Sequence, residues 1–164
     1  MNKLILAASL FVCSVAYAKE PPRVYGNEAV APATKQEREI AGLFDRWNAA
    51  LGTGKPADVV KLYHPKAVLQ PTVSNQVRTT PAEIEDYFVH FLELKPHGTI
   101  NSRHIQMLSK DSAVDSGVYT FDIVKDGKPA KVQARYTFVY KKLGKEWLIL
   151  KHHSSAMPEQ VALN

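Results

Sequence analysis

Apolar residues recur at helical spacing from Ile40 onward, with Leu43, Phe44, Trp47 and Leu51 following on one face. Thr34 stands six residues before this stripe, and Glu37 three residues after Thr34, the spacing of a capping box. Gly52 and Gly54 stop the run. The pattern predicts a first helix that opens at Thr34 and turns this stripe toward a core. Pro56 opens a short second helix to Tyr63, which His64-Pro65 ends. Ala67 to Gln70 reads as a short strand and Pro71 to Thr79 as a polar loop. Thr80, Pro81 and Glu83 repeat the capping signal and start a third helix. Its stripe is Ile84, Tyr87, Phe88, Phe91 and Leu92, and Lys95-Pro96-His97-Gly98 closes it.

From Thr99 the period changes from helical to two. Thr99–Leu108, Ala113–Val124, Ala130–Lys142 and Glu146–Ala156 read as four strands, with tight connections at Asp126-Gly127 and Leu143-Gly144. The last three strands form an antiparallel meander. Helices followed by a long sheet give an α+β class. A strongly twisted sheet folded over helices makes a cone, and polar residues pointing into it would line a pocket.

The ends of the chain read differently. Lys3, an apolar run from Leu4 to Val15 and Ala16-Tyr17-Ala18 have the order of a secretory signal. Residues 1–18 are therefore a signal peptide, 19–33 a flexible leader, 34–159 a single domain and 160–164 a tail. The expected location is periplasmic or secreted, with no membrane partner after cleavage. Cleavage also removes Cys13, the one cysteine of the chain, so no disulfide, thiolate nucleophile or cysteine-based metal site is expected. The net charge of +5 favours anions in general. Its basic residues do not interleave with aromatics in one segment, which argues against nucleic acid.

Two segments are unusually polar. One is Gln70-Pro71-Thr72-Val73-Ser74-Asn75; the other continues the apolar start of the last strand, Trp147-Leu148-Ile149-Leu150, as Lys151-His152-His153-Ser154-Ser155. Imidazoles and hydroxyls on a strand buried at one end need hydrogen-bond partners or a ligand. Alternation puts His152 with Ser154 on one face and His153 with Ser155 on the other. Lys151 marks the second face as solvated, so His152 and Ser154 are expected inside. Adjacent histidines cannot chelate one ion from a regular strand. A zinc or other divalent site would draw on His152, His153 and His104, with His64, His90 or a carboxylate as further ligands, and none has H-x-H or i, i+4 spacing. No cofactor is required on this reading. Dinucleotide, P-loop, zincin and nucleophile-elbow motifs are absent.

Arg135-Tyr136-Thr137-Phe138-Val139-Tyr140, Gly144-Lys145-Glu146-Trp147-Leu148-Ile149 and HHSSAMPE at 152–159 resemble the bacterial calcium/calmodulin-dependent protein kinase II association-domain family. That resemblance implies the cone-shaped fold of nuclear transport factor 2-like proteins. Within the family, His-His-Ser-Ser followed by Met-Pro-Glu looks like the signature of iota-class carbonic anhydrases, and QPTVSN at 70–75 and EIEDYFVHFL at 83–92 fit the same group. The likeness covers roughly residues 35–159.

The subgroup implies reversible hydration of carbon dioxide to bicarbonate around a Thr, a Tyr and a Ser hydroxyl. By motif these match Thr72, Tyr87 and one of Ser154 or Ser155. Phe88, Phe91 and Leu92 would wall the pocket. A Tyr87 acting as base would need its pKa lowered, and His152 would carry the proton to solvent. Metal use differs within the iota class. The alternative is a non-catalytic module of the same fold for oligomerisation or small-ligand binding; a hydrolase or isomerase is a weaker reading for want of a positioned carboxylate. A sheet face carrying Val139 and Trp147 predicts at least a homodimer.

Overall fold

Two reciprocal caps set where the long helices begin. In the computed structural model, which describes residues 21–159, Thr34 Oγ1 accepts from the Glu37 amide at 3.2 Å while the Thr34 amide donates to the Glu37 carboxylate at 3.1 Å. Thr80 and Glu83 repeat the exchange at 3.3 and 3.0 Å. Caps of this kind contribute about 1 kcal/mol each. They start α1 (Lys35–Gly52) and α3 (Pro81–Phe91), with a single-turn α2 (Pro56–Val60) between them. The strands are β1 (Tyr63–Gln70), β2 (His97–Ser109), β3 (Ser112–Lys125), β4 (Lys128–Leu143) and β5 (Glu146–Ala156). This is the α+β cone expected from the pattern. The signal segment and the tail lie outside the described residues.

The sheet has five strands rather than four, in the order β1-β5-β4-β3-β2. The second helix ends at Val60, and the chain is already extended at Tyr63, through His64-Pro65. β1 pairs parallel with β5, Leu69 opposite His152 and Gln70 opposite His153. Pro65 is tolerated because β1 is an edge strand and its register breaks between Tyr63 and Val68. β2 to β5 form one continuous antiparallel meander.

Besides Leu108, left over beside the β2–β3 turn, two extra residues interrupt the register inside the meander. Ile100 and Ser102 face Tyr119 and Val118, which leaves Asn101 over. Ile149 and Lys151 face Tyr140 and Val139, which leaves Leu150 over. Each acts as a β-bulge, and each reverses the inward–outward alternation of its strand. The concave face receives α1: Trp47 meets the rings of Phe88, Phe121, Phe138 and His152 at 5.3–6.3 Å. Trp147, expected on the outer face, belongs to this core cluster and donates Nε1–H to Glu39 on α1 at 2.7 Å. Val139 is half-buried on the outer face.

Residues 21–33, expected to be a flexible leader, have no regular structure but are tied to the sheet. The Ala29 amide donates to Ile100 at 2.8 Å, and Gln133 Nε2 donates to the Tyr25 carbonyl at 2.9 Å. Among the described residues no helix is long and apolar enough to cross a membrane.

Gly117 sits against the first bulge, where an added Cβ would meet the Ser102 carbonyl oxygen at 1.9 Å. Gly42 lies mid-helix with nothing within 4 Å of such an atom. Gly117→Ala is therefore expected to destabilise the fold by about 1–3 kcal/mol or more, and Gly42→Ala to stabilise it by about 0.5–1 kcal/mol. Urea unfolding of both variants checks the bulge geometry; equal midpoints would contradict it.

Candidate functional site

The bulge at Leu150 turns both Ile149 and His152 to the concave side, and Ser154 follows His152 by alternation. His152 and Ser154 are buried, His153 is exposed, and Ser155 is half-buried opposite Arg135. Thr72 reaches the same place from the loop after β1. That loop is closed by a two-way backbone bridge between Leu69 and Arg78, both bonds 2.9 Å. Thr72 Oγ1 and Ser154 Oγ share a hydrogen bond. Tyr119 on β3 donates its hydroxyl proton to Ser154 Oγ at 2.5 Å. It can reach β5 because the β4 residue opposite it is the small Ala134.

These groups line a cavity of about 50 Å³. Thr72, Tyr87, Tyr119, His152 and Ser154 supply its polar atoms; Trp47, Leu69, Phe88, Phe91 and Phe121 supply apolar wall. A water needs roughly 10–15 Å³ of such space, so the cavity suits a ligand of a few non-hydrogen atoms. Three of the motif-matched residues thus meet in one cavity. Leu92 does not line it; Leu94 does. Tyr87 stacks on Phe91 at 5.5 Å and stands apart from the hydroxyl chain.

Tyr119 was not singled out by the sequence, where it reads as one more core aromatic of an alternating strand. Asp115 was also missed. It is fully buried on the concave face, where the Tyr136 hydroxyl donates to it at 2.9 Å and Arg103 Nε lies 3.2 Å away. It does not line the cavity.

The family described as calcium/calmodulin dependent protein kinase II association domain matches residues 36–158. The chain belongs to this family. A crystal structure from Xanthomonas campestris described as such an association domain is 55% identical, over 85% of this chain and 100% of that one, with a TM-score of 0.83. A CamKII hub homology domain from Chlamydomonas reinhardtii is 20% identical, over 76% of this chain and 99% of that one, with a TM-score of 0.61. A nuclear transport factor 2-like protein from Salmonella enterica is 16% identical, over 76% and 92%, with a TM-score of 0.65. The last two share the fold. No curated protein matches the chain.

The electrostatics of this association domain change two of the expected roles. Burial pushes the Tyr87 hydroxyl well above the ordinary tyrosine range, against a lowering by the Arg78 charge, and burial does the same to Tyr119. Neither is a base; both remain protonated, and Tyr119 donates to Ser154. His152 was expected to carry protons to solvent. Burial, with His153 adding, lowers it to about 3, so it stays neutral. Its tautomer follows from its partner. Trp47 Nε1 donates to the Tyr63 hydroxyl at 3.2 Å, and that hydroxyl is 2.8 Å from His152 Nδ1. The Tyr63 proton has its acceptor at Nδ1, which leaves the imidazole proton on Nε2. His152 is thus a fixed neutral donor on the cavity wall.

The proposed metal ligands do not converge. His104 and His153 are exposed and His152 is buried on the concave face, and among the described residues no three His, Cys, Asp or Glu side chains form a cluster that could hold a metal. These residues do not fit a zinc ion.

The two shifted concave-face groups act on stability in opposite senses. His152, lowered to about 3, gives stability that is full above its ordinary 6.5 and is lost as pH falls toward 3. Asp115, raised to about 6 chiefly by burial against the opposing Arg103, gives stability that is full below 3.8 and is lost as pH rises through 6. The wild-type curve mixes the two, so a difference is needed. Between about pH 4 and pH 6.5 the wild type should lose more stability on acidification than His152→Gln, by up to about 1.4 kcal/mol per pH unit. Parallel unfolding curves for the two proteins would mean that His152 is not held neutral.

Proposed function

We infer that the chain, once exported, is a small-ligand protein of the association-domain fold whose cavity hydrates carbon dioxide reversibly to bicarbonate. The observation that carries this is the meeting of Thr72, Ser154 and Tyr119 hydroxyls, with Tyr87, in one small and mainly apolar cavity. The walls suit an apolar triatomic substrate, and the hydroxyls suit its oxygens. The likeness of HHSSAMPE to the iota-class signature points the same way.

The chemistry needs no charged base. As water oxygen bonds to the carbon, its proton passes to the Ser154 or Thr72 oxygen. That hydroxyl gives its own proton to the carbon dioxide oxygen that is losing its double bond. Carbonic acid results and ionises on leaving. Tyr119 holds Ser154 in place. Tyr87 and His152 Nε2–H are donors for the oxygen on which charge develops, and such donors act strongly where water is excluded. A hydroxyl is donor and acceptor at once, which is what this relay asks of Ser154 and Thr72.

Assembly without catalysis is the second reading, and the family itself favours it: its members are described as association domains. The half-buried Val114 and Val139, neighbours on the outer face, supply apolar surface for a copy of the chain. We infer at least a homodimer, and sedimentation at micromolar concentration is expected to show no monomer of the chain's mass.

A carbon dioxide hydration assay on purified, chelator-treated protein tests the reaction. Activity is expected to survive chelation. Tyr87→Phe and Ser154→Ala should each lose about 10²-fold in rate; Tyr87→Phe should keep its thermal stability, whereas Ser154→Ala leaves the buried Tyr119 hydroxyl without its acceptor and should cost about 1–3 kcal/mol. Ser155→Ala, on the other face, should stay within a few-fold of wild type. Absence of hydration in the wild type would leave the assembly reading in possession.

A further inference from the structure

The loop that delivers Thr72 ends at Arg78, and nothing in the reaction above uses that arginine. Arg78 is 7% exposed. Its backbone is fixed by the two-way bridge to Leu69. Its Nε and Nη1 are buried and have no hydrogen-bond partner in the protein. Among the described residues, the carboxylate paired with it is Asp86 on α3, 66% exposed and 3.7 Å from Nη2, beyond hydrogen-bond reach. A buried guanidinium cannot shed its charge, because arginine does not deprotonate in proteins. Burying it with two donors unmatched costs several kcal/mol unless something accepts from them.

The surroundings say what would. Arg78 lines an outer chamber of about 310 Å³. Four residues of that chamber, Val73, Tyr87, Phe91 and Leu94, also line the inner cavity. The two spaces are therefore neighbours, divided by the Tyr87 and Phe91 rings. The remaining polar residues of the chamber are Ser74 and His90, and no carboxylate lines it. Nε–H and the Nη2 on its side of the guanidinium lie in one plane and match the two oxygens of a planar oxyanion, and Nη2, 3.7 Å from Asp86, makes no hydrogen bond to it.

We propose that Arg78 is the anion-binding residue of this outer chamber, taking a planar carbon oxyanion, bicarbonate or a small carboxylate, through paired N–H···O bonds. It lies beside the inner cavity, where an anion formed inside would next be met. The choice of bicarbonate as natural ligand rests on the hydration reading; the anion site itself does not.

The test is equilibrium binding followed on the arginine side-chain N–H signals by NMR, with hydration measured in parallel on the same samples. Sodium bicarbonate and sodium acetate are titrated at constant ionic strength against sodium chloride. A saturable shift of the Arg78 Nε–H signal with bicarbonate is expected, and Arg78→Gln should weaken binding about tenfold or more. Arg78→Lys keeps the charge and loses the paired donors, so it should recover only part. A shift with acetate as well identifies the site as one for planar carbon oxyanions generally; a shift with bicarbonate alone identifies it as the product's. An equal response to chloride, a shift that follows protein concentration (a partner copy's carboxylate on Arg78), or bicarbonate binding that leaves Arg78 unmoved would each overturn the proposal. Because the wild type carries the readout, a variant that fails to fold does not remove the test. Binding at Arg78 without hydration supports this site and removes the hydration reading; hydration without binding at Arg78 does the reverse.

Discussion

Leu150 occupies one position too many in β5, where the adjacent β4 residues Val139 and Tyr140 face Lys151 and Ile149. Without that extra residue, strict alternation from the core residues Trp147 and Ile149 would carry Lys151, His153 and Ser155 inward. With it, His152 and Ser154 face the cone and Lys151 faces water. Each further element of the site leans on this choice. Tyr63 on β1 needs His152 inside to complete the buried chain from Trp47. Thr72 and Tyr119 need Ser154 there. A bulge beside a site that re-aims one side chain is a recurring use of the device.

Water exclusion then decides the chemistry of the groups the bulge brings in. Removing water penalises charged forms, so Tyr87 and Tyr119 hold their protons while His152 refuses one. A site built this way cannot work by a tyrosinate base or an imidazolium shuttle. It offers neutral hydroxyls in contact, each able to give one proton and take another. The charge that the concave face does bury is kept elsewhere: Asp115 stands outside the cavity, with Arg103 and Tyr136 beside it. Arg78 lines the neighbouring chamber, which shares Tyr87 with the cavity.

The local physics was readable from residues alone. Both capping boxes stand where Thr-x-x-Glu put them, and the stripes on α1 and α3 are core. The strands of the meander follow the period-two runs to within a few residues. What escaped the sequence was long-range. Nothing local says that Tyr63, next to a His-Pro pair, begins a strand, because its partner Ile149 lies far along the chain and the pairing is parallel. Alternation arguments assume regular strands, and Leu150 gives no local sign of a bulge, being an ordinary strand residue. Lys151 served as a solvent marker only because it lies beyond the bulge. Tyr119 and Arg78 escaped for another reason, that their roles depend on what faces them. A tyrosine becomes a site residue here because Ala134, across the strand, is small enough to reach over.

The same sheet can serve an assembly and a cavity because its two faces carry different side chains. Along β5, His152 and Ser154 belong to the cavity while Lys151 and His153, one residue away, belong to the solvent side. A substitution at 153 alters surface without touching a cavity atom, and one at 154 does the opposite. An association domain can therefore keep its outer face for contacts with copies of itself while the inner face acquires or loses a reaction. That separation also explains why membership of the family does not by itself specify an activity. On the hydration reading the activity resides in a few side chains: hydroxyls at 72, 119 and 154 and a neutral imidazole at 152 around the cavity, and a guanidinium at 78 in the chamber beside it.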